Sequence, residues 1–286
     1  MVGCAVKGHG AAVLLGLAFA GTVAGLGGCK KGEDAPADPV APAAAMPSAA
    51  PLAMSSAMPS AHSVDFAIDP ASKTAIDMPA PKERIKGETT AAKGTLHVDL
   101  TNLAMTRGDI YIDLDTFATH TFGDAEKDAT QTHHAHTWLQ IDDMVKDSAA
   151  RERNRWVHFA IRSIDGLSAN DITKVAPTKV GSDDVRSVML VAHGDIEVHS
   201  LPSKAPRDAG LEVRVHVPAG APADTKPTSI ELVSREPSTL QITLADHDVK
   251  PRDTEGILAQ KAFGLLGTKV ADVANVSVNL VAKPSS

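Results

Sequence analysis

Eight or more short segments of this chain alternate apolar and polar residues with a period of two, the spacing that gives an extended strand one buried face. Leu96-His97-Val98-Asp99-Leu100 alternates strictly, and Asp109-Ile110-Tyr111-Ile112-Asp113-Leu114-Asp115 repeats the pattern. Val157 to Ile161, Ile196 to His199, Leu211 to Val217, Ile230 to Val233, Leu240 to Leu244 and Val276 to Leu280 continue it. Glycine, proline and aspartate punctuate the gaps. Short strands joined by such turns build an antiparallel barrel or a two-sheet sandwich, and the alternation leaves both open. Aromatic residues are only 3% of the chain, so either interior is lined by aliphatic side chains. In a barrel, Val98, Leu100, Ile110, Ile112, Leu114, Phe159 and Ile161 fall on the inward face.

Two stretches break the strand rhythm. Between Ala125 and Ile141, residues His134, Ala135, Trp138, Leu139 and Ile141 recur at three- and four-residue steps, which predicts a helix with one apolar side. Trp138 on that helix is expected to close one end of the barrel. A second helix is predicted from Thr254 to Leu266, capped by Asp253 or Thr254 and stopped by Gly267.

The first residues belong to targeting, not to the fold. Lys7 precedes an apolar run from Ala11 to Leu26, which ends in Leu26-Gly27-Gly28-Cys29. This ending resembles the lipobox of bacterial lipoproteins, in which the cysteine becomes the lipidated first residue of the mature chain. An ordinary secretory signal with a cysteine there by chance is the alternative. Cys4 leaves with the signal, so a mature chain has one cysteine and no internal disulfide. Lys30 follows Cys29 where an aspartate is linked to inner-membrane retention, so the expected location is the outer membrane, facing the periplasm. From Asp34 to Ser63 the residues are mostly Ala, Pro, Ser and Met without apolar period, a composition that does not bury enough surface to fold. Residues 1–28 therefore read as signal peptide, 29–62 as lipidated cysteine and disordered tether, and 63–286 as the folded domain. A net charge of −7, with no dense Lys/Arg block, argues against a nucleic-acid partner.

Over nearly all of Ser63 to Lys283, four stretches together carry a resemblance to one known domain family. Val64-Asp65-Phe66-Ala67-Ile68-Asp69 is similar to the family's first strand, F-x-I-D, and Gly94 to Phe122 to its paired strands and threonine-rich turn. Gln131 to Leu139 stands where the family has R-D-x-H-L. His193-Gly194-Asp195-Ile196-Glu197-Val198-His199-Ser200-Leu201, followed by Lys204-Ala205-Pro206, resembles G-D-L-T-L-x-G-V-x-K-P-V and is the most specific match. On these motifs the chain resembles the YceI-like domain family. Two departures stand out. Gln131-Thr132 replaces the Arg-Asp pair, and a highly charged stretch runs from Asp142 to Arg155. The resemblance implies a mainly β fold: an antiparallel lipocalin-like β-barrel of about eight strands with one or two short helices. It also implies a polyisoprenoid or other long-chain lipid as ligand, with no cofactor.

Candidate chemistry is sparse. His133, His134 and His136 invite a metal reading, but no Cys, Asp or Glu stands beside them at a recognised ligand spacing, and a solvated helix surface with one inward histidine explains them better. Asp113 and Asp115 share a strand side with Asp109 and Tyr111 and read as an outward polar face. No nucleophile elbow or phosphate-cradling glycine loop occurs in the mature region. Three functions follow: a tethered module binding a long apolar ligand through the inward residues and Trp138, with no catalysis and no metal; a histidine-based metal-dependent hydrolase; or a filled barrel acting as a structural or interaction module.

Overall fold

The computed structural model describes residues 62–79, 84–222, 224–236, 239–250 and 272–285. The expected signal peptide, Cys29, nearly all of the expected tether and the helix predicted over Thr254 to Leu266 lie outside the described residues.

The alternating segments pair into one antiparallel sheet that closes on itself. In chain order the strands are β1 (Ser63–Ile68), β2 (Lys73–Pro79), β3 (Arg84–Thr89), β4 (Ala92–Asp99), β5 (Arg107–Asp113), β6 (Ala118–Thr119), β7 (Trp156–Asp165), β8 (Thr178–Val180) and β9 (Asp183–Val198). They continue with β10 (Leu201–Pro202), β11 (Arg207–Pro218), β12 (Ser229–Ser234), β13 (Leu240–Thr243) and β14 (Val273–Pro284). The ladder runs β1-β4-β5-β7-β9-β11-β12-β14, and β14 returns to β1 with Phe66 opposite Pro284 and Ile68 opposite Ala282. Eight strands therefore form a closed barrel, each of them paired on both sides. The sandwich alternative is excluded.

Several staves are bent strands in two pieces. β2 prolongs β1 and pairs with β14 and β3, β6 prolongs β5 and pairs with β3, and β13 prolongs β12 along β14. With these joined, the barrel is an up-and-down meander in sequence order. The alternation read from the sequence missed β2 and β3 because their inner faces carry Thr74, Gly87 and Thr89 in place of large apolar residues. Gly87 is small for a reason. A Cβ there would lie 2.5 Å from the Phe117 ring, so the aromatic takes the space that a side chain would need.

Helix α1 (Ala125–Trp138) falls where expected, its N-terminus capped by Asp124 accepting from the Lys127 amide at 3.0 Å. Its buried residues are Gln131, Ala135 and Thr137, so its seat is more polar than the predicted apolar stripe. The Thr119 amide donates to Thr132 Oγ1 at 2.9 Å, and Thr121 Oγ1 donates to Gln131 Oε1 at 2.6 Å. A second helix, α2 (Ser148–Asn154), occupies the charged stretch that the sequence left unassigned. Asp147 caps it by accepting from the Ala149 and Ala150 amides, and Arg151 and Arg153 stand at its C-terminal turn, where the helix dipole favours cations.

Both helices, the β9–β11 hairpin and the turn at Leu244–His247 gather at one end of the barrel, called here the helix end. The far end is closed by 3₁₀ turns at Leu103–Met105 and Ile172–Lys174. Ser63 pairs with Asp99 at the close of β4, so the first strand starts from the far end.

Candidate ligand-binding site

Inward residues line three cavities that follow one another through the barrel. The central one, about 80 Å³, is bounded by Ile110, Ile112, Leu114, Phe159 and Ile161 among others. At the helix end a cavity of about 60 Å³ lies among Met78, Phe117, Trp138, Leu139 and Val249. It shares Ile76, Leu114, Val157, Ile242 and Val276 with the central cavity. At the far end a third, about 20 Å³, lies among Leu96, Val98, Leu103 and Leu190 and shares Ile161, Leu211 and Leu232 with the central one. β9 runs past all three: Val198 faces the helix-end cavity, Ile196 the central one, and Ala192 and Leu190 the far one.

Of the eight side chains singled out from the sequence, Ile110, Ile112, Leu114, Phe159 and Ile161 meet at the central cavity, Trp138 lines the helix-end cavity, and Val98 and Ile161 line the far one. Leu100 does not join them. It is buried in the core where β4 ends, and its other side borders a surface groove with His62 and Ser63. Alternation that continues one residue past a strand keeps its parity but not its depth, because the chain has already turned away from the axis. The sequence reading overlooked Thr74, Ile76, Ala209 and Ser234. Only Ile76 carried an apolar signal. Ala209 is placed by its register opposite Ala192 in the β9–β11 ladder.

Small residues set the shape of the interior. Gly194, in the most specific of the family-like motifs, has the Phe159 ring against it: a Cβ at Gly194 would stand 2.5 Å from Phe159 Cζ. Gly108 likewise admits Leu96, whose Cδ2 lies 2.6 Å from the position of a Cβ. It sits within β5.

At the helix end, Asp113 is not part of the outward polar face. It is 2% exposed and receives two hydrogen bonds from Arg155, at 2.7 Å from Nε and 2.5 Å from Nη2. This contact holds the Arg155 guanidinium well above its usual range, with burial opposing. The Asp115 amide donates to the same carboxylate at 3.0 Å, and the Thr89 hydroxyl to the Asp113 carbonyl at 2.5 Å. Asp113 therefore ties β3, the β5–β6 corner and the start of β7 into one joint.

The histidines do not converge. His133 and His134 are exposed with ring centroids 6.4 Å apart, and His136 Nε2 donates to the Phe117 carbonyl at 2.9 Å. Among the described residues no three His, Cys, Asp or Glu side chains are grouped to hold a metal ion. The outer wall instead carries cross-strand pairs: His97 with Asp65, His158 with Asp109, and His193 between Asp208 at 2.7 Å and Asp165 at 3.0 Å. The Asp208 contact, helped by Asp165, raises the His193 imidazole above its ordinary pKa.

No family model matches the chain, and no curated protein does either. Among solved structures it is similar to a polyisoprenoid-binding domain from Saccharophagus degradans implicated in plant cell wall breakdown, at 13% identity and a TM-score of 0.44 over 78% of this chain and 99% of that one. It is also similar to BcnA of Burkholderia cenocepacia, at 14% identity and a TM-score of 0.43 over 76% and 99% of the two chains. A mutant CJ YCEI protein made for nanotechnology applications matches at 12% identity and a TM-score of 0.36, over 69% of this chain and 83% of that one. The chain is similar in structure to polyisoprenoid-binding and YceI proteins, the latter bearing the name of the family that its sequence pattern resembles.

Proposed function

We propose that the barrel binds a long-chain apolar ligand, a polyisoprenoid or another lipid, along its axis, and that the protein works by burying that chain and not by bond chemistry. The observation that carries this reading is the row of three apolar cavities with shared walls. Protein cores hold few voids larger than a water molecule. At about 24 cal/mol per Å³, the central cavity alone would cost a purely structural core about 2 kcal/mol. A row of such spaces along one axis suits a thin flexible chain.

The second reading, a filled barrel used as an interaction module, draws on the modest size of each cavity. The variant Ala209→Leu separates the two. Ala209 faces the central cavity, and the larger side chain takes up that space. Binding of hexadecanol, followed by calorimetry, is expected to fall at least tenfold, while unfolding becomes harder by about 1 kcal/mol as the void is filled. Unchanged binding in Ala209→Leu would place the ligand outside the barrel; no binding to either protein would favour the filled barrel.

The proposal extends to an envelope lipoprotein anchored through Cys29, with the barrel on a Pro/Ala-rich tether and facing the periplasm from the outer membrane. The lipobox-like Leu26-Gly27-Gly28-Cys29 supports the anchor, and the Ala/Pro/Ser-rich composition from Asp34 to Ser63 supports the tether. Cys29→Ser is expected to abolish incorporation of labelled fatty acid in the producing cell. Equal labelling of the variant would refute the anchor.

A further inference from the structure

Among the described side chains lining the far cavity, Thr106 is the only polar one; the rest are aliphatic. It is 7% exposed, and its Oγ1 is buried without a hydrogen-bond partner. Its backbone is held in place. The Thr106 amide donates to the Leu103 carbonyl at 3.0 Å, and Arg107 Nη1 donates to the Thr106 carbonyl at 2.6 Å. A buried hydroxyl with no partner loses its hydration and regains nothing, so such groups are rare and call for an explanation. A water molecule is a poor one. The cavity of about 20 Å³ has room for one, but a buried water needs two to four polar partners, and the lining side chains offer a single hydroxyl.

We infer that Thr106 recognises a neutral oxygen, a hydroxyl or a carbonyl, at the buried end of the ligand chain, so that the ligand is an oxygen-terminated long-chain molecule lying with that end deepest. This rests on the lipid-binding reading above. A charged terminus is unsuited to the place, because none of the described side chains lining the cavity is cationic and an unpaired charge there is far costlier than a hydroxyl. Length enters as well. From Val198 at the helix-end cavity to Leu190 at the far one, β9 advances eight residues, about 26 Å along the strand and about 20 Å along the axis of a barrel with ordinary strand tilt. A chain that reaches Thr106 from the helix end must span that distance. Short alcohols and aldehydes fail this requirement.

The test compares three proteins and three probes, using the full chain and calorimetric titration with hexadecane, hexadecanol and hexadecanoate. In Thr106→Val, which keeps the shape and removes the hydroxyl, hexadecanol is expected to bind about tenfold more weakly than to the unmodified protein, with hexadecane affinity unchanged. Thr106→Ser, which restores the hydroxyl, should recover most of the loss. Hexadecanoate should bind the unmodified protein more weakly than hexadecanol when both reach the far end. Hexadecanol affinity that does not change in Thr106→Val, while hexadecane still binds, overturns the role of Thr106 and leaves the lipid-binding reading standing. Equal weakening of hexadecane and hexadecanol in Thr106→Val assigns Thr106 to packing alone and likewise overturns it. Failure of every probe to bind the unmodified protein removes both readings together.

Discussion

Asp113→Ala is expected to lower the unfolding free energy by about 3 kcal/mol in urea denaturation, the lower end of what breaking a buried ion pair costs. The lower end applies because the pair is unevenly buried: the Asp113 side chain is 3% exposed and that of Arg155 34%, so water partly solvates the guanidinium once it is left alone. The loss is larger than an exposed pair gives, since those contribute at most about 1 kcal/mol. The Asp113 carboxylate also accepts from the Asp115 amide, so the substitution removes that bond too, while the Thr89 bond to the backbone carbonyl remains. Arg155→Ala should cost as much or more, because it leaves a carboxylate uncompensated in the more buried position. Losses below about 1 kcal/mol in both variants would show that the pair behaves as a surface one.

The largest effect of all is expected from ligand length. If a chain lies along the row of cavities, each methylene added to a saturated alcohol and buried contributes about 0.8 kcal/mol, nearly fourfold in Kd, so five methylenes amount to about a thousandfold. The gain must then stop. A chain longer than the path through the barrel, about 20 Å on the axis, extends its last carbons into solvent, and affinity levels off. A sticky outer patch gives no such plateau. Trp138 lines the helix-end cavity and reports occupancy by its emission. Trp156 lies elsewhere, its ring covered by the Lys93 ammonium 3.5 Å from the centroid, and Trp156→Phe removes its background. A flat response over the whole series, with no lipid recovered in solvent extracts of the purified protein, would sink the lipid-binding assignment.

The sequence carried the barrel further than it carried the site. Period-two alternation marks a strand wherever large apolar residues fill the inner face, as in β5, β7 and β11, and those strands were legible. It fails where the inner face is built from small or hydroxyl residues. In β3 the inward positions are Ile85, Gly87 and Thr89, and the alternation disappears although the geometry is unchanged. Helix α1 was found from its spacing, yet its seat on β6 is made by Thr119, Thr121, Gln131 and Thr132, polar residues that no apolar stripe reveals. Helix α2 was hidden for the same reason, since its residues bury nothing and its signal is the cap at Asp147.

What the sequence by itself determined is local: which residues face inward on the strands with large apolar inner faces, where α1 runs, and the aliphatic character of the interior. These follow from the backbone's fixed periods of two and of about 3.6 residues, which need no distant partner. The tertiary structure decided the rest. Closure of β14 onto β1 decided between the barrel and the sandwich that alternation alone left open, because the pairing of the first and last strands is a long-range event that no local period encodes. It also decided burial against exposure for residues of one strand side: Asp109 stays on the outer wall beside His158, while Asp113, four residues on, is sealed beneath Arg155. The cavity row and the lone hydroxyl of Thr106 belong to the same class, since an unfilled space and an unpaired atom exist only once all their neighbours are in place.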